Sequence, residues 1–417
     1  MAASQIENEG NRMTEYCIWL QQCFGEGSVK PYNIIKQYGS AKAFYDSVQA
    51  GLSGVHDLLP ADIARVKNTP LELAQKILEK CTQKGIDVYT IDHALYPEKL
   101  KNIYAPPVVL YGIGMLPELD RLVAIAVVGN RRMSDYGGSV ARQIGYDLAR
   151  AGAVVVSGLA LGIDACGHEG ALLAGGKTVA VLGCGPDVIY PSENEALTEQ
   201  IRSKGTILSE FPPGTRPIAR NFPIRNRIIS GLCNGIAVIE AGVKSGSLIT
   251  ANLALEQGRD IFTVPNSIYC EHSAGSLRLL RDGAIPIGSA YDILIEYEGL
   301  FKDKLNLEKI PRCYYYLPAQ HQKSALPAQK KASKPRPEQP PILTVPGNPK
   351  AEAQSLPDYL TGQAVKVYDI LRTKTEKTHV DEIAVQTGLS TPEVLSAITE
   401  LEIEELVRAY PGRRYSV

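Results

Sequence analysis

The chain has 417 residues, 44% hydrophobic and 21% charged, proportions that exclude wholesale disorder and a fibrous repeat. Its length suggests about three domains at about 150 residues each. Lys and Arg number 44 against 45 Asp and Glu, a net charge of −1, so global charge does not mark a nucleic-acid binder and any basic surface must be local.

Residues 1–100 read as a small helical domain of SAM-like or helix-hairpin-helix-like type. Helical periodicity runs through Ile18–Trp19–Phe24, Ile34–Ile35–Tyr38 and Leu71–Leu73–Ile77–Leu78, with Gly-containing turns between. Such units can hold a DNA backbone, but helix packing alone accounts for the pattern equally well. Residues 101–300 change grammar. Strands are expected at Leu122–Val128, Ala153–Ser157, Thr178–Leu182, Gly205–Ser209, Ile236–Glu240 and Asp260–Val264. Helices are expected at Gly137–Ala151, Ala165–Ala174, Glu195–Lys204 and Leu248–Gln257. Apolar strands alternating with helices predict an α/β fold, a Rossmann-like doubly wound and mainly parallel sheet. Residues 301–357 read as a Pro-rich, lysine-bearing linker. Residues 358–417 read as a winged helix: helices at Val365–Leu371, Val380–Thr387 and Thr391–Leu406, then a hairpin turned at Pro411–Gly412.

No apolar run reaches the ~18 residues of a membrane span, and the first 20 residues carry no secretory pattern. The eight cysteines form no CxxC pair, so neither a zinc site nor a disulfide framework is expected. A cytoplasmic protein with inert buried thiols fits that usage. No metal or other cofactor is expected.

Catalytic motifs are missing: there is no GxSxG, HExxH or GK[ST]-ended P-loop. A dinucleotide fingerprint after Gly129 would need glycines where Arg131 and Ser134 stand. The chain therefore reads as no enzyme, although Asp164, Glu210 and Glu240 lie near strand ends. What the strand-end loops offer is anion chemistry. Ser157–Asp164, Gly183–Gly185 and Ser245–Ala251 place glycine and serine before helices, where backbone N–H groups and helix N-termini favour phosphate. The 29 residues Phe211–Ile239 contain no Asp or Glu, and within them Arg216, Arg220, Arg225 and Arg227 surround Phe222. Guanidinium forks match phosphate and a ring offers a stacking face, the composition of a single-strand groove. In the competing reading, Arg225 or Arg227 forms internal salt bridges with Asp164 or Glu240.

Several motifs together resemble the DNA-processing protein A (DprA/Smf) family. They are Val128–Arg131 (VGNR), Ser157–Ala165 (SGLALGIDA) with His168, Gly176–Gly183 (GKTVAVLG), Tyr190-Pro191, Ser209–Gly214 (SEFPPG), Phe222–Leu232 (FPIRNRIISGL) and Ser245–Ala251 (SGSLITA), in order across about Leu122–Leu294. The resemblance implies a single-stranded-DNA-binding protein of natural transformation. Such a protein protects incoming strands, loads the RecA recombinase and dimerises through the Rossmann-like domain. It maps Arg131, Ser157, Gly158, Lys177, Phe222, Arg225, Asn226 and Arg227 onto the DNA-binding pocket. Arg216, Arg220, Ser245, Gly246 and Ser247 join them from the residue reading. The chain departs from the family pattern at Leu161, where a basic residue is usual, at Asn266, usually Gly, and at Leu277, usually Asn.

Two further expectations stand beside this one. Nucleotide phosphoribohydrolases of the lysine-decarboxylase-like group share the open fold and resemble the Ser245–Ala251 turn, so a nucleotide-binding or nucleotide-hydrolysing enzyme is the alternative. The chain lacks their catalytic Glu in that turn. The presumed recognition helix of the winged domain is acidic, with Glu393, Glu400, Glu402, Glu404 and Glu405. That charge opposes phosphate and points to a protein partner for this domain.

Overall fold

The computed structural model describes residues 2–51, 58–314, 360–374, 377–403, 406–410 and 414–416. The chain divides into two compact units, residues 1–328 and 329–417.

The first unit opens with α1 (Ala2–Phe24), α2 (Lys30–Tyr38), α3 (Ala41–Gln49), α4 (Pro60–Asn68) and α5 (Leu71–Gln83). Local chemistry sets their ends. Gly39, at φ 81°, stops α2 in the left-handed region that glycine enters freely. Ser40 then caps α3 by accepting from the Ala43 N–H at 3.1 Å. Next come β1 (Asp87–Thr90), α6 (Glu98–Lys101) and β2 (Val109–Gly114). The alternating part follows: β3 (Ala124–Gly129), α7 (Asp135–Arg150), β4 (Val154–Ser157), α8 (Ile163–Leu173), β5 (Thr178–Leu182), α9 (Glu195–Lys204), β6 (Thr206–Ser209), α10 (Asn221–Leu232), β7 (Gly235–Glu240), α11 (Gly246–Glu256), β8 (Asp260–Thr263), α12 (Ala274–Arg281), β9 (Ile285–Pro286), α13 (Ala290–Leu294) and α14 (Glu298–Phe301).

The nine strands form one sheet in the order β1-β2-β6-β5-β4-β3-β7-β8-β9. Pairings from β6 through β9 are parallel, while β1–β2 and β2–β6 are antiparallel. This is the expected Rossmann-like sheet. The chain steps from β3 out to β6 and returns on the other side of β3 with β7. The order therefore reverses between β3 and β7, where such sheets open a crevice.

Besides β9 and α12 to α14, for which nothing was expected, three elements differ from the sequence reading. β1 and β2 fall where helices were expected to continue or nothing was expected. β1 has only four residues, and β2 ends in Gly112-Ile-Gly114, so neither shows a β-branched run. Gly112 is required there: a Cβ would meet the Tyr89 ring at 2.7 Å. The third is α10, which runs through the acid-free segment, where no helix was expected.

Helices and sheet share one core. Trp19, Phe44, Tyr111, Val128 and Ile228 belong to a single buried cluster on one face. Ile125, Ile144, Leu148, Phe262 and Ile293 fill the other. Six cysteines are buried, and burial pushes the Cys166 and Cys184 thiols up to about 11, which keeps them protonated and unreactive. No described helix is long and apolar enough to cross a membrane.

The second unit holds α15 (Gly362–Arg372), β10 (Thr378–His379), α16 (Val380–Thr387), α17 (Thr391–Ile403), β11 (Arg408–Tyr410) and β12 (Arg414–Ser416). Its small antiparallel sheet has the order β10-β12-β11. Val367, Leu371, Ile383, Val394 and Leu401 form its core. Three helices followed by this wing are a winged helix. Most of the expected linker (residues 315–357) and the Pro411–Gly412 turn lie outside the described residues.

Candidate nucleic-acid interface

A groove of about 750 Å³ opens at the switch point, at the C-terminal ends of β3 and β7. After β3 it is lined by Asn130, Arg131 and Arg132, and after β7 by Gly242, Lys244, Ser245, Gly246 and Ser247. α10 contributes Phe222, Arg225 and Asn226. Among the lining side chains four cations (Arg131, Arg132, Arg225, Lys244) face one carboxylate, Asp164. The Ser245 side chain caps α11, leaving that helix N-terminus at the groove wall.

A narrow cleft of about 60 Å³ adjoins the groove and shares Arg131, Ala160, Phe222 and Arg225 with it. Its other walls include Gly158, Leu159, Leu161, Gly183, Tyr190 and Pro191. The Phe222 ring is already flanked. The Arg131 guanidinium lies 5.5 Å from its centroid, Arg225 lies 5.9 Å away, and the Tyr190 ring 5.5 Å. A base entering this cleft therefore meets a preassembled cation–π stack. The exposed member of that stack is Arg131. Leu159 turns the chain after β4 at φ 55°, a conformation that costs a non-glycine residue ~1–3 kcal/mol.

Arg225 is buried at 4% exposure. Its Nη1 donates to Gly158 O at 2.7 Å and to Val181 O, and its Nε donates to Asn226 Oδ1. No carboxylate forms an ion pair with it among the described residues. Burial pulls its pKa down to about 10, partly offset by Asp164. It enters the groove as a positioned cation.

The structure separates the other expected site residues. Arg227 is buried and pairs with Glu210 at 2.5 Å. The internal salt bridge is thus real for Arg227, with a partner the sequence reading did not name. Ser157 is fully buried, and its hydroxyl donates to Val127 O at 2.7 Å. Lys177 is exposed at the N-terminal end of β5, the end of the sheet opposite the groove. Arg216 and Arg220 are exposed on the loop between β6 and α10 and line neither cavity. Arg132, Lys244, Asn130 and His272 were not named as binding residues. Arg132 and Lys244 had a signal, since each adjoins a residue that was.

The three strand-end carboxylates are committed to the scaffold. Glu240 accepts from Ser134 N at 2.9 Å and Ser134 Oγ at 2.7 Å, not from an arginine. Asp164 accepts from Gly158 N at 3.0 Å; burial raises its pKa against the pull of Arg225. Burial likewise raises Glu210, opposed by Arg227. No described cluster of His, Cys, Asp and Glu is arranged to hold a metal.

Known proteins carry the same layout. Residues 87–298 match the family described as DNA recombination-mediator protein A, which begins at β1 and spans the whole sheet. Protein Smf of Synechocystis is 37% identical over 82% of this chain and 82% of its own length.

The chain belongs to the DNA recombination-mediator protein A (DprA/Smf) family.

Within that family, the DNA processing protein DprA of Bacillus subtilis is 42% identical over 53% of this chain and 74% of its own. The X-ray structure of DprA from Streptococcus pneumoniae superposes with a TM-score of 0.59 at 35% identity, covering 68% of this chain and 98% of that one. Residues 350–413 match the DprA winged helix domain. Of the three departures from the DprA pattern, Leu161 lines the cleft, whereas Asn266 and Leu277 line neither cavity. Leu161 makes one wall of the cleft apolar.

Proposed function

We propose that this DprA-family protein binds single-stranded DNA in the groove between β3 and β7, with phosphates on Arg131, Arg132, Arg225, Lys244 and the α11 N-terminus, and a base in the adjoining cleft. The observation that carries the reading is the shared wall of groove and cleft, where Arg131, Arg225 and Phe222 form one stack. Phosphate-binding and base-stacking chemistry meet there on one wall. Ser157, Lys177 and Arg227 leave the proposed contact set, and Arg216 and Arg220 stay as flanking phosphate contacts. Family membership supports the wider role: protection of incoming strands and loading of RecA during natural transformation, by a cytoplasmic homodimer. A hydrolase gains no support, because Asp164, Glu210 and Glu240 are each held by scaffold partners.

Fluorescence anisotropy with a labelled oligonucleotide, single-stranded and duplex, titrated with salt, tests the reading. Arg131→Ala is the informative variant, because its exposed side chain leaves the fold intact. The expected result is tight single-strand binding, weakened about tenfold or more by the substitution, with the log K against log salt slope shallower by ~0.7 for the lost contact. Equal binding by wild type and variant at all salt concentrations rejects the site.

A further inference from the structure

We infer that the N-terminal helices buttress the arginine-bearing loop, residues 211–220, so that side chains remote from the strand set its affinity. The inference rests on the single-strand reading above and adds positioning residues to it.

Three parts of the helical region hold this loop at its β6 end, and one of them also touches α10 beyond it. Gln21 of α1 is 1% exposed; its Nε2 donates to Glu210 O at 2.8 Å while its Oε1 accepts from Val109 N of β2 at 3.0 Å. In the turn after α1, the Gly27 N–H donates to Glu210 Oε1 at 3.1 Å, and the other Glu210 oxygen holds Arg227 of α10. A Cβ at Gly27 would strike Ile224 of α10 at 2.8 Å, so turn and helix are in direct contact. From α5, Lys80 Nζ donates to Pro213 O at 2.9 Å. Lys84, just beyond α5, pairs with Asp187 at 2.5 Å, and the other Asp187 oxygen accepts from Gly214 N at 2.7 Å.

The loop is therefore fixed at Glu210, Pro213 and Gly214 before it reaches Arg216 and Arg220. An isolated ten-residue loop would leave those arginines to sample many placements. Ordering them in the folded protein removes that entropy from the binding step. Asp187 is the central residue of the clamp, since it joins the loop after β5, the loop after β6 and the region just beyond α5.

Its charge makes the test decisive. Replacing a carboxylate near a polyanion site should tighten DNA binding by electrostatics alone. The buttress demands the reverse for Asp187→Ala: single-strand affinity about tenfold weaker, with a salt slope shallower by ~0.7 to ~1.4 as one or both arginines lose their phosphates. Asp187→Asn keeps an acceptor for Gly214 N and should retain most of the slope. Lys80→Met, on half-buried α5 surface, should lower the slope in the same sense, and it carries the test if Asp187→Ala fails to fold by circular dichroism. A mere loss of folded protein would lower the binding stoichiometry and leave the slope unchanged. Wild-type binding with unchanged or tighter binding in these variants overturns the buttress alone. Absent wild-type binding overturns the single-strand reading and the buttress with it.

Discussion

At Gly158 a Cβ would sit 2.7 Å from Cζ of Arg225, whose guanidinium has no room to retreat at 4% exposure. Gly158→Ala should therefore push the cation out of place and weaken single-strand binding about tenfold, or ~1.4 kcal/mol. Anisotropy reads the change, with a thermal melt to show that the fold survives. Arg227 belongs to a different argument. Glu210→Ala strands its buried charge, an effect of about 3–5 kcal/mol in denaturant unfolding. A combined Arg225→Ala/Arg227→Ala variant would confound a groove contact with that ion pair. His168 gives a pH prediction. Its Nδ1 lies 2.7 Å from Thr178 Oγ1, which itself donates to Val155 O, so Nδ1 carries the proton. Nε2 has no hydrogen-bond partner among the described residues. Burial, reinforced by Arg225, pulls the ring down to about 3 from 6.5. The unfolded chain takes up the proton first, so this stability is fully present above pH 6.5 and is lost as pH falls toward 3. Between pH 7 and 5 the loss is about 2 kcal/mol. His168→Gln should remove that difference, measured by urea unfolding at both pH values.

Elements were legible where their chemistry was local. β3 to β8 read directly, because strands such as Thr178–Leu182 are buried on both faces and show unbroken apolar runs. β1 and β2 did not: β1 is an edge strand that pairs only with β2, and β2 takes its inner neighbour, β6, from across the fold, so pairing supplies what their own residues do not. α10 was hidden for another reason. Its arginines drew the eye to phosphate chemistry, while Ile228, Ile229 and Leu232 gave it a buried face. The same helix explains the mixed fate of the site residues. Positions 225 and 227 point along different directions from one helix, so one reaches the groove and the other the core. Sequence gives composition of a segment, and only the element gives direction. α7 carries a prediction at this scale. Ser134 caps it, accepting from Gly137 N at 3.0 Å, and also donates its hydroxyl to the buried Glu240. Ser134→Ala should cost about 1–2 kcal/mol in chemical unfolding.

For the molecule as a whole, the two units divide the chemistry. The cations of the proposed interface lie in residues 1–328. In the winged helix, Glu393 of α17 accepts from Ser390 N at 2.8 Å at the start of its own helix, and Glu400 accepts from Thr361 N at 2.9 Å at the start of α15, so two acids of the expected recognition helix are engaged within the domain. Deleting residues 358–417 should leave most single-strand affinity intact; a hundredfold loss in anisotropy would assign DNA contacts to the wing. The pairing of β2 with β6 has a consequence for synthesis. Tyr111 faces Ser209 in the register, about a hundred residues later in the chain. The helices at the start share their core with Ile228 of α10. At about 5–20 residues per second, the ribosome leaves β2 without its inner neighbour for roughly 5–20 s. The opening third of the nascent chain thus waits with apolar surface uncovered, a window in which chaperone capture competes with completion of the sheet.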